Sequence, residues 1–202
     1  MGPVAGVDEV GRGALAGPIM AAAVIFPACD GPPMRRLRAM LRGIRDSKEV
    51  HPLDRLRLAG RIWEVAEGVG LGAVPAWDID VLGIAAANRM AMERAVLALP
   101  KPPASLLLDA FTIDVELPQY GLIRGDRHSL SIAAASIVAK VTRDALMADL
   151  DVLDDRYAFA VHKGYGTPDH LAAVRRFGPG PFHRRSFRPL REMLGVSPGS
   201  GR

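Results

Sequence analysis

Cysteine is nearly absent from this 202-residue chain. Cys29 stands alone, so no disulfide can close within the chain and no cysteine cluster can hold a metal; a reducing compartment, the cytoplasm, is the expected setting. Aromatic residues are also scarce, at 5%, which argues against a platform of many rings for stacking bases. No run of eighteen or more uncharged apolar residues occurs, so no membrane-spanning helix is expected. The apolar stretch from Ala14 to Pro27 follows the charged Asp8, Glu9 and Arg12 and is too short to cross a bilayer, and it reads as a buried strand rather than a signal. Neither sign of charge dominates: 26 Lys and Arg against 22 Asp and Glu leave a net charge of +4, compatible with a polyanionic partner without requiring one.

What is present is a hydrophobic content of 49%, enough at this length for one domain with a single substantial core. Basic residues gather in two places: Arg35, Arg36, Arg38, Arg42, Arg45 and Lys48, and again Arg175, Arg176, His183, Arg184, Arg185 and Arg188. The two clusters either line a groove or form solvated helix faces.

Periodicity orders the chain as α/β. The runs Val4–Val10 and Ile19–Phe26, separated by Gly11, Arg12, Gly13 and Gly17, suggest adjacent strands joined by a glycine-rich turn. A short helix is expected within residues 30–48. An amphipathic helix is expected over His51–Glu67, with Leu53, Leu56, Ala59, Ile62, Trp63 and Ala66 as its apolar residues. A strand at Val69–Ala76 follows, then one long helix through Leu99 capped by Asp78, then a buried strand Leu106–Leu108 ending at Asp109. Tyr120–Ile123 is a further strand, Ser131–Asp149 an alanine-rich helix packed closely on the sheet, and Thr167–Phe177 a helix capped by Thr167 with Pro168 at its first position. Residues 196–202 are expected to be a disordered tail.

Four acids stand at the ends of these core elements. Asp8 and Glu9 interrupt an apolar run, where an ionised carboxylate is costly to bury without a counter-charge. Asp109 closes three leucines, and Asp126 precedes the alanine-rich helix. Taken separately each is a weak signal, with a salt-bridged strand end as the plain alternative for the first pair and a helix cap for Asp126. Together they fit a carboxylate cluster holding two hard cations about 4 Å apart, the arrangement that supports in-line phosphodiester hydrolysis. Ser136, Lys140 and Arg143 share one face of the alanine-rich helix, where Ser136 and Lys140 are candidate phosphate holders; Arg143 with Asp144 reads as an ordinary surface pair, and His170 as a packing or capping residue.

These residues carry a resemblance. Gly6-Val7-Asp8-Glu9-Val10-Gly11-Arg12-Gly13 with Gly17-Pro18 resembles the opening signature of the ribonuclease HII (type 2 ribonuclease H) family. Asp46-Ser47-Lys48, Leu108-Asp109, Gly125-Asp126, the run from Ala133 to Asp144, Lys163-Gly164-Tyr165-Gly166-Thr167 and His183-Arg184-Arg185-Ser186-Phe187 resemble its later blocks in the same order. The ordered set spans residues 4 to 190 and is far more specific than any block alone.

The resemblance implies a ribonuclease H fold, a mixed five-stranded sheet flanked by helices, with residues 150–190 as a small helical C-terminal extension of a single domain. It implies that Asp8, Glu9, Asp109 and Asp126 are the catalytic acids and ligands of Mg²⁺ or Mn²⁺. By the same token Gly11, Arg12 and Gly13 would sense the ribose 2′-hydroxyl, and Tyr165 would pack on the deoxyribose 3′ of a ribonucleotide. Arg45 and Lys48 join Ser136 and Lys140 as candidate phosphate contacts. The substrates implied are RNA–DNA hybrids and DNA duplexes containing ribonucleotides; no membrane partner is expected, no sliding-clamp motif is found at the C-terminus, and a monomer is expected.

Three positions depart from the family pattern: Ala14 in place of a frequent proline, Ala110 where glycine is frequent after Asp109, and Arg45 in place of a common asparagine. Two rivals remain: a two-metal nuclease on the same fold that cuts all-DNA substrates, and a catalytically silent hybrid binder. The glycine turn argues against the first and four intact acids against the second.

Overall fold

Strand β2 (Ile19–Ile25) carries no polar side chain because both of its faces are covered. Ile19, Ala21, Ala23 and Ile25 belong to one hydrophobic cluster, Ala22 and Val24 to another on the opposite side, as the two-residue repeat of a strand demands. A computed structural model describes residues 2–44 and 50–195. The candidate phosphate contacts Arg45 and Lys48 lie outside the described residues, as does the expected tail at 196–202.

Strand β1 (Val4–Val10) pairs antiparallel with β2, and β2 pairs antiparallel with β3 (Gly68–Val74). Between β2 and β3 lie helices α1 (Gly31–Met40) and α2 (Pro52–Val65). Helices α3 (Ala76–Leu82) and α4 (Ile84–Leu97) lead to β4 (Ser105–Asp109), which runs parallel to β1, and β5 (Gln119–Leu122) runs parallel to β4. The sheet order is β3-β2-β1-β4-β5: a mixed five-stranded sheet with β1 at its centre, as the resemblance implied. Helix α4 covers one face. The short α5 (Gly125–His128) precedes the 24-residue α6 (Leu130–Leu153), which covers the other face together with α2.

Helix α6 starts at Ser129, whose hydroxyl accepts from the Ile132 amide, and Ala133, Ala134, Ala135 and Ala139 are all buried along it. Small side chains let the helix lie close to the sheet, and Gly6 completes the fit: a Cβ there would overlap the backbone at Ser131 and Ile132. The far half of α6 meets a third hydrophobic cluster, built from Leu15, Ala16, Met147, Tyr157, Phe159, Val174 and Leu190. It joins the glycine turn to a C-terminal layer of α7 (Phe159–His162), α8 (Pro168–Phe177) and α9 (Arg188–Met193). Helix α8 begins as expected, with the Thr167 hydroxyl accepting from the His170 amide and Pro168 in the first turn. Among the described residues no helix is long and apolar enough to cross a membrane.

Three expectations are corrected. In α2 the inward stripe is Leu58, Ala59 and Ile62, while Leu53, Leu56 and Trp63 are 71%, 59% and 52% exposed. Arg55 donates to the Val50 carbonyl and pairs with Asp144 of α6, which turns the other stripe outward. The single helix expected from Asp78 to Leu99 is two helices broken at Gly83, whose φ of 77° lies in the left-handed region; Pro75, not Asp78, occupies the N-cap. Of the second basic cluster, His183 and Arg184 are buried, so only its remaining members face solvent.

Ala110, directly after β4, sits at φ 63°, a conformation that strains any residue with a Cβ. Its side chain is exposed, so nothing buried is lost on replacing it. Ala110→Gly is expected to stabilise the fold by about 0.5–1 kcal/mol, since relief of strain outweighs glycine's backbone entropy. An unchanged or lower urea midpoint would show the turn to be unstrained.

Candidate active site

The carboxyl ends of the parallel strands β1 and β4 open side by side, because Val7 is in register with Leu108 and the next residues are Asp8 and Asp109. Asp8, Glu9, Asp109 and Asp126 all face one cleft of about 390 Å³, together with Gly11, Arg12, Gly13, Ser136, Lys140 and Tyr165. Every site residue expected from the sequence that lies among the described residues is therefore brought to a single place.

Asp8 is 6% exposed and lies on the α6 side of β1; its carboxylate accepts from the Glu9 amide at 2.8 Å and is hydrogen-bonded to Ser136. Burial above all, then the charge of Glu9 and, more weakly, that of Asp109, push its carboxyl well above the usual range, against the pull of those hydrogen bonds. Asp109 accepts from the Gly125 amide at 2.8 Å, which ties the end of β4 to the start of α5 and so to Asp126 beside it. Asp126 is not the cap of α6, a role taken by Ser129. Among the described residues no three His, Cys, Asp or Glu side chains converge as a finished metal cage. The donor set itself, carboxylate oxygens around a buried acid repelled by like charges, fits a hard divalent cation and little else.

The Gly11-Arg12-Gly13 turn is held from behind. Gly11 has φ 86°, and a Cβ there would overlap the Arg143 guanidinium, so glycine is required on both counts. Arg12 projects outward over the Phe111 ring, with 4.8 Å from guanidinium to centroid, while its carbonyl accepts from Arg184. Lys140 is committed to Asp144 at 2.6 Å, and burial lowers its pKa against that pairing. Arg38 and Arg42 of the first basic cluster adjoin the site through a neighbouring groove that also includes Asp126, Arg127 and His128.

Arg143 is not the surface residue expected. It is fully buried and donates to the carbonyls of Pro18, Lys163 and Ala16 at 2.9, 2.9 and 3.0 Å, with its guanidinium 5.6 Å from the centre of the Tyr165 ring. Arg184, also fully buried, donates to Gly17 and Arg12 carbonyls. These two clamps were missed. The available signal was position: Arg143 continues the inward row Ser136, Lys140, Met147 on α6, where a solvated side chain has no outlet.

The architecture recurs in solved proteins. The ribonuclease H2 of Pyrococcus horikoshii OT3 superposes with a TM-score of 0.78 at 24% identity, over 96% of this chain and 97% of that one. Bst-RNase HIII in complex with Mn²⁺ superposes with a TM-score of 0.64 at 19% identity, over 96% and 70%. The fold is that of the type 2 ribonucleases H. The family model for ribonuclease HII matches residues 5–189, and the ribonuclease HII of Geobacillus thermodenitrificans is 52% identical over 193 residues, 96% of this chain and 71% of that protein. The chain belongs to the ribonuclease HII family, and with it to the metal-dependent endonucleases that hydrolyse the RNA strand of RNA–DNA hybrids.

An ionised Asp8 opposes folding: with its pKa raised in the fold, the native state favours the proton, and stability is lost as pH rises through that value. Asp8→Asn, measured by urea unfolding at pH 7.5 without divalent ions, is expected to gain about 1–2 kcal/mol. A loss would show that the carboxylate is already compensated.

Proposed function

We propose that this enzyme, besides degrading RNA in hybrids, incises duplex DNA on the 5′ side of single embedded ribonucleotides, leaving 5′-phosphate and 3′-hydroxyl ends. The observation that carries the reading is the shared cleft: four acids, a glycine turn with close main-chain access and a half-buried tyrosine line the same space. Asp8, Glu9, Asp109 and Asp126 would hold two divalent cations, Mg²⁺ or Mn²⁺, the latter being bound by the related Bst-RNase HIII. Bound there, the cations supply Lewis acidity, acidifying a water for attack and offsetting charge on the phosphate and the departing 3′ oxygen.

The chain's own residues do the rest. Ser136 orients the Asp8 carboxylate. The Gly11–Gly13 main chain, free of side-chain bulk at both glycines, approaches the sugar and reads its 2′-hydroxyl, the group that separates ribose from deoxyribose. Tyr165 offers a ring to the deoxyribose on the 3′ side, making an RNA-to-DNA junction the preferred place of cutting. Lys140 meets the backbone only by sharing its charge with Asp144, so its phosphate contact is secondary to that pair. Arg38, Arg42 and Arg127, all exposed, extend a positive path for the duplex beyond Asp126. We place the enzyme in the cytoplasm, acting as a monomer in replication and repair.

The test is a labelled duplex carrying one ribonucleotide, incubated with Mg²⁺, Mn²⁺ or EDTA beside an all-DNA control. Cutting 5′ of the ribonucleotide, with metal only and never in the control, supports the reading; a cut control means a broader nuclease, and no cutting under either metal means a silent binder. Asp109→Asn is expected to lower the rate at least about a hundredfold while duplex binding persists; wild-type turnover would remove Asp109 from the site. Tyr165→Ala is expected to slow junction cleavage roughly tenfold more than cleavage of a uniform hybrid, in line with lost positioning. Equal slowing of both would remove the junction role.

A further inference from the structure

Behind Tyr165 lie three buried histidines, His162, His170 and His183, that no step described above uses. Their partners settle where each proton sits. The Gly180 amide donates to His183 Nδ1 at 3.0 Å, so that nitrogen presents its lone pair and Nε2 carries the hydrogen. His170 Nδ1 lies 2.9 Å from the Tyr165 carbonyl, which can only accept, so Nδ1 carries the hydrogen and Nε2 the lone pair. The two Nε2 atoms are 3.0 Å apart, and the assignments agree: His183 donates to His170. The chain of donors runs from Gly180 through His183 and His170 to the Tyr165 main chain.

Either ring, if charged, would set two N–H groups against each other, at Gly180 or between the rings. Burial pushes both down to about 4, which keeps them neutral through the physiological range. The groups facing them are consistent with this: His162 stacks on His170 at 4.2 Å, Tyr157 and Phe159 pack on His183, and Asp154, the acid acting on His183, is held by Arg156 at 2.7 Å.

We propose that His183 and His170 are positioning residues for Tyr165, a two-ring relay that fixes the tyrosine's main chain and thereby sets how strongly the enzyme prefers an RNA-to-DNA junction over a uniform hybrid. The inference rests on the junction reading of Tyr165. His162 closes the other side of the same loop: its carbonyl accepts from the Tyr165 amide at 3.0 Å, and its Nδ1 accepts from Gly164 at 3.2 Å. The Thr167 amide also reaches the Tyr165 carbonyl, at 2.8 Å. His162 is itself tied to the C-terminal layer, its Nε2 lying 2.6 Å from the Tyr157 carbonyl, while the relay starts at Gly180; the relay is the tie that ends on the tyrosine's own carbonyl.

The test compares single-turnover rates on a duplex with one ribonucleotide and on a uniform RNA–DNA hybrid. His170→Leu removes the donor to Tyr165, whereas His170→Asn keeps an N–H where Nδ1–H stood. The junction-to-hybrid ratio is expected to fall roughly fivefold in His170→Leu, a typical size for indirect coupling, and to be restored only in part by His170→Asn, which keeps the donor to Tyr165 but has no ring nitrogen to accept from His183. It should fall no further when His170→Leu is added to Tyr165→Ala. A wild-type ratio in His170→Leu while Tyr165→Ala lowers it overturns the relay and leaves the tyrosine reading standing; no gain in His170→Asn over His170→Leu, or a complete return to the wild-type ratio, overturns the two-ring relay as well. An unchanged ratio in Tyr165→Ala overturns the junction reading, and the specificity role of the relay with it. Should the variants not fold, ¹⁵N-labelled histidine in the wild-type chain decides by NMR at pH 7: His170 protonated at Nδ1 and His183 at Nε2 support the relay, and any other pair of tautomers overturns it.

Discussion

The Arg143 guanidinium is enclosed by protein and touches three main-chain carbonyls from two distant stretches of chain: Ala16 and Pro18 after the glycine turn, and Lys163 before Tyr165. A buried cation is tolerated where carbonyl dipoles replace its water, and here three of them do. Because Arg143 stands on the same helix as Ser136, which meets Asp8, one rigid element registers the acids, the turn and the tyrosine loop against one another. Arg184 repeats the device from the C-terminal side, gripping Gly17 and Arg12. The site thus depends on main-chain carbonyls being held in place more than on any pair of opposite charges.

That dependence explains a division within the cleft. The acids are placed by strand register and by α5, elements of the sheet core. The turn and the tyrosine are placed by buried side chains from α6 and the C-terminal layer. The two halves of the cleft are therefore supported mainly by different parts of the fold, and α6, through Ser136 and Arg143, is the element they share.

The sequence made the sheet, the alanine helix and the four acids legible because each rests on local signals: the unbroken apolar run of β2, the alanine content of α6, acids abutting apolar runs. What escaped it was tertiary in origin. In α2 the apolar pattern picks out Ala59 and Ile62, which are buried, together with Leu53, Leu56 and Trp63, which are not; the Arg55 contacts with Val50 and Asp144 decide which way the helix turns. Arg143, Arg184 and His183 carry polar side chains that composition assigns to the surface, and their burial is compensated by carbonyls and ring nitrogens far away in sequence. Gly83 was visible as a residue, but a helix break there competes with uninterrupted helical periodicity on either side.

The segment from Leu15 to Gly17 is threaded between two late pieces of chain. Leu15 and Ala16 amides bond to the Gly164 carbonyl, the Gly17 amide to Phe182, and the Arg184 amide back to Leu15. During synthesis the sheet and its acids can assemble early, but the turn lacks its last partners, Phe182 and Arg184, until residues near 184 have left the ribosome. Contacts of that separation close late and slowly. A nascent or truncated chain therefore carries the acids before the turn has its full set of partners, so the two sides of the cleft are completed at different moments in the life of the polypeptide.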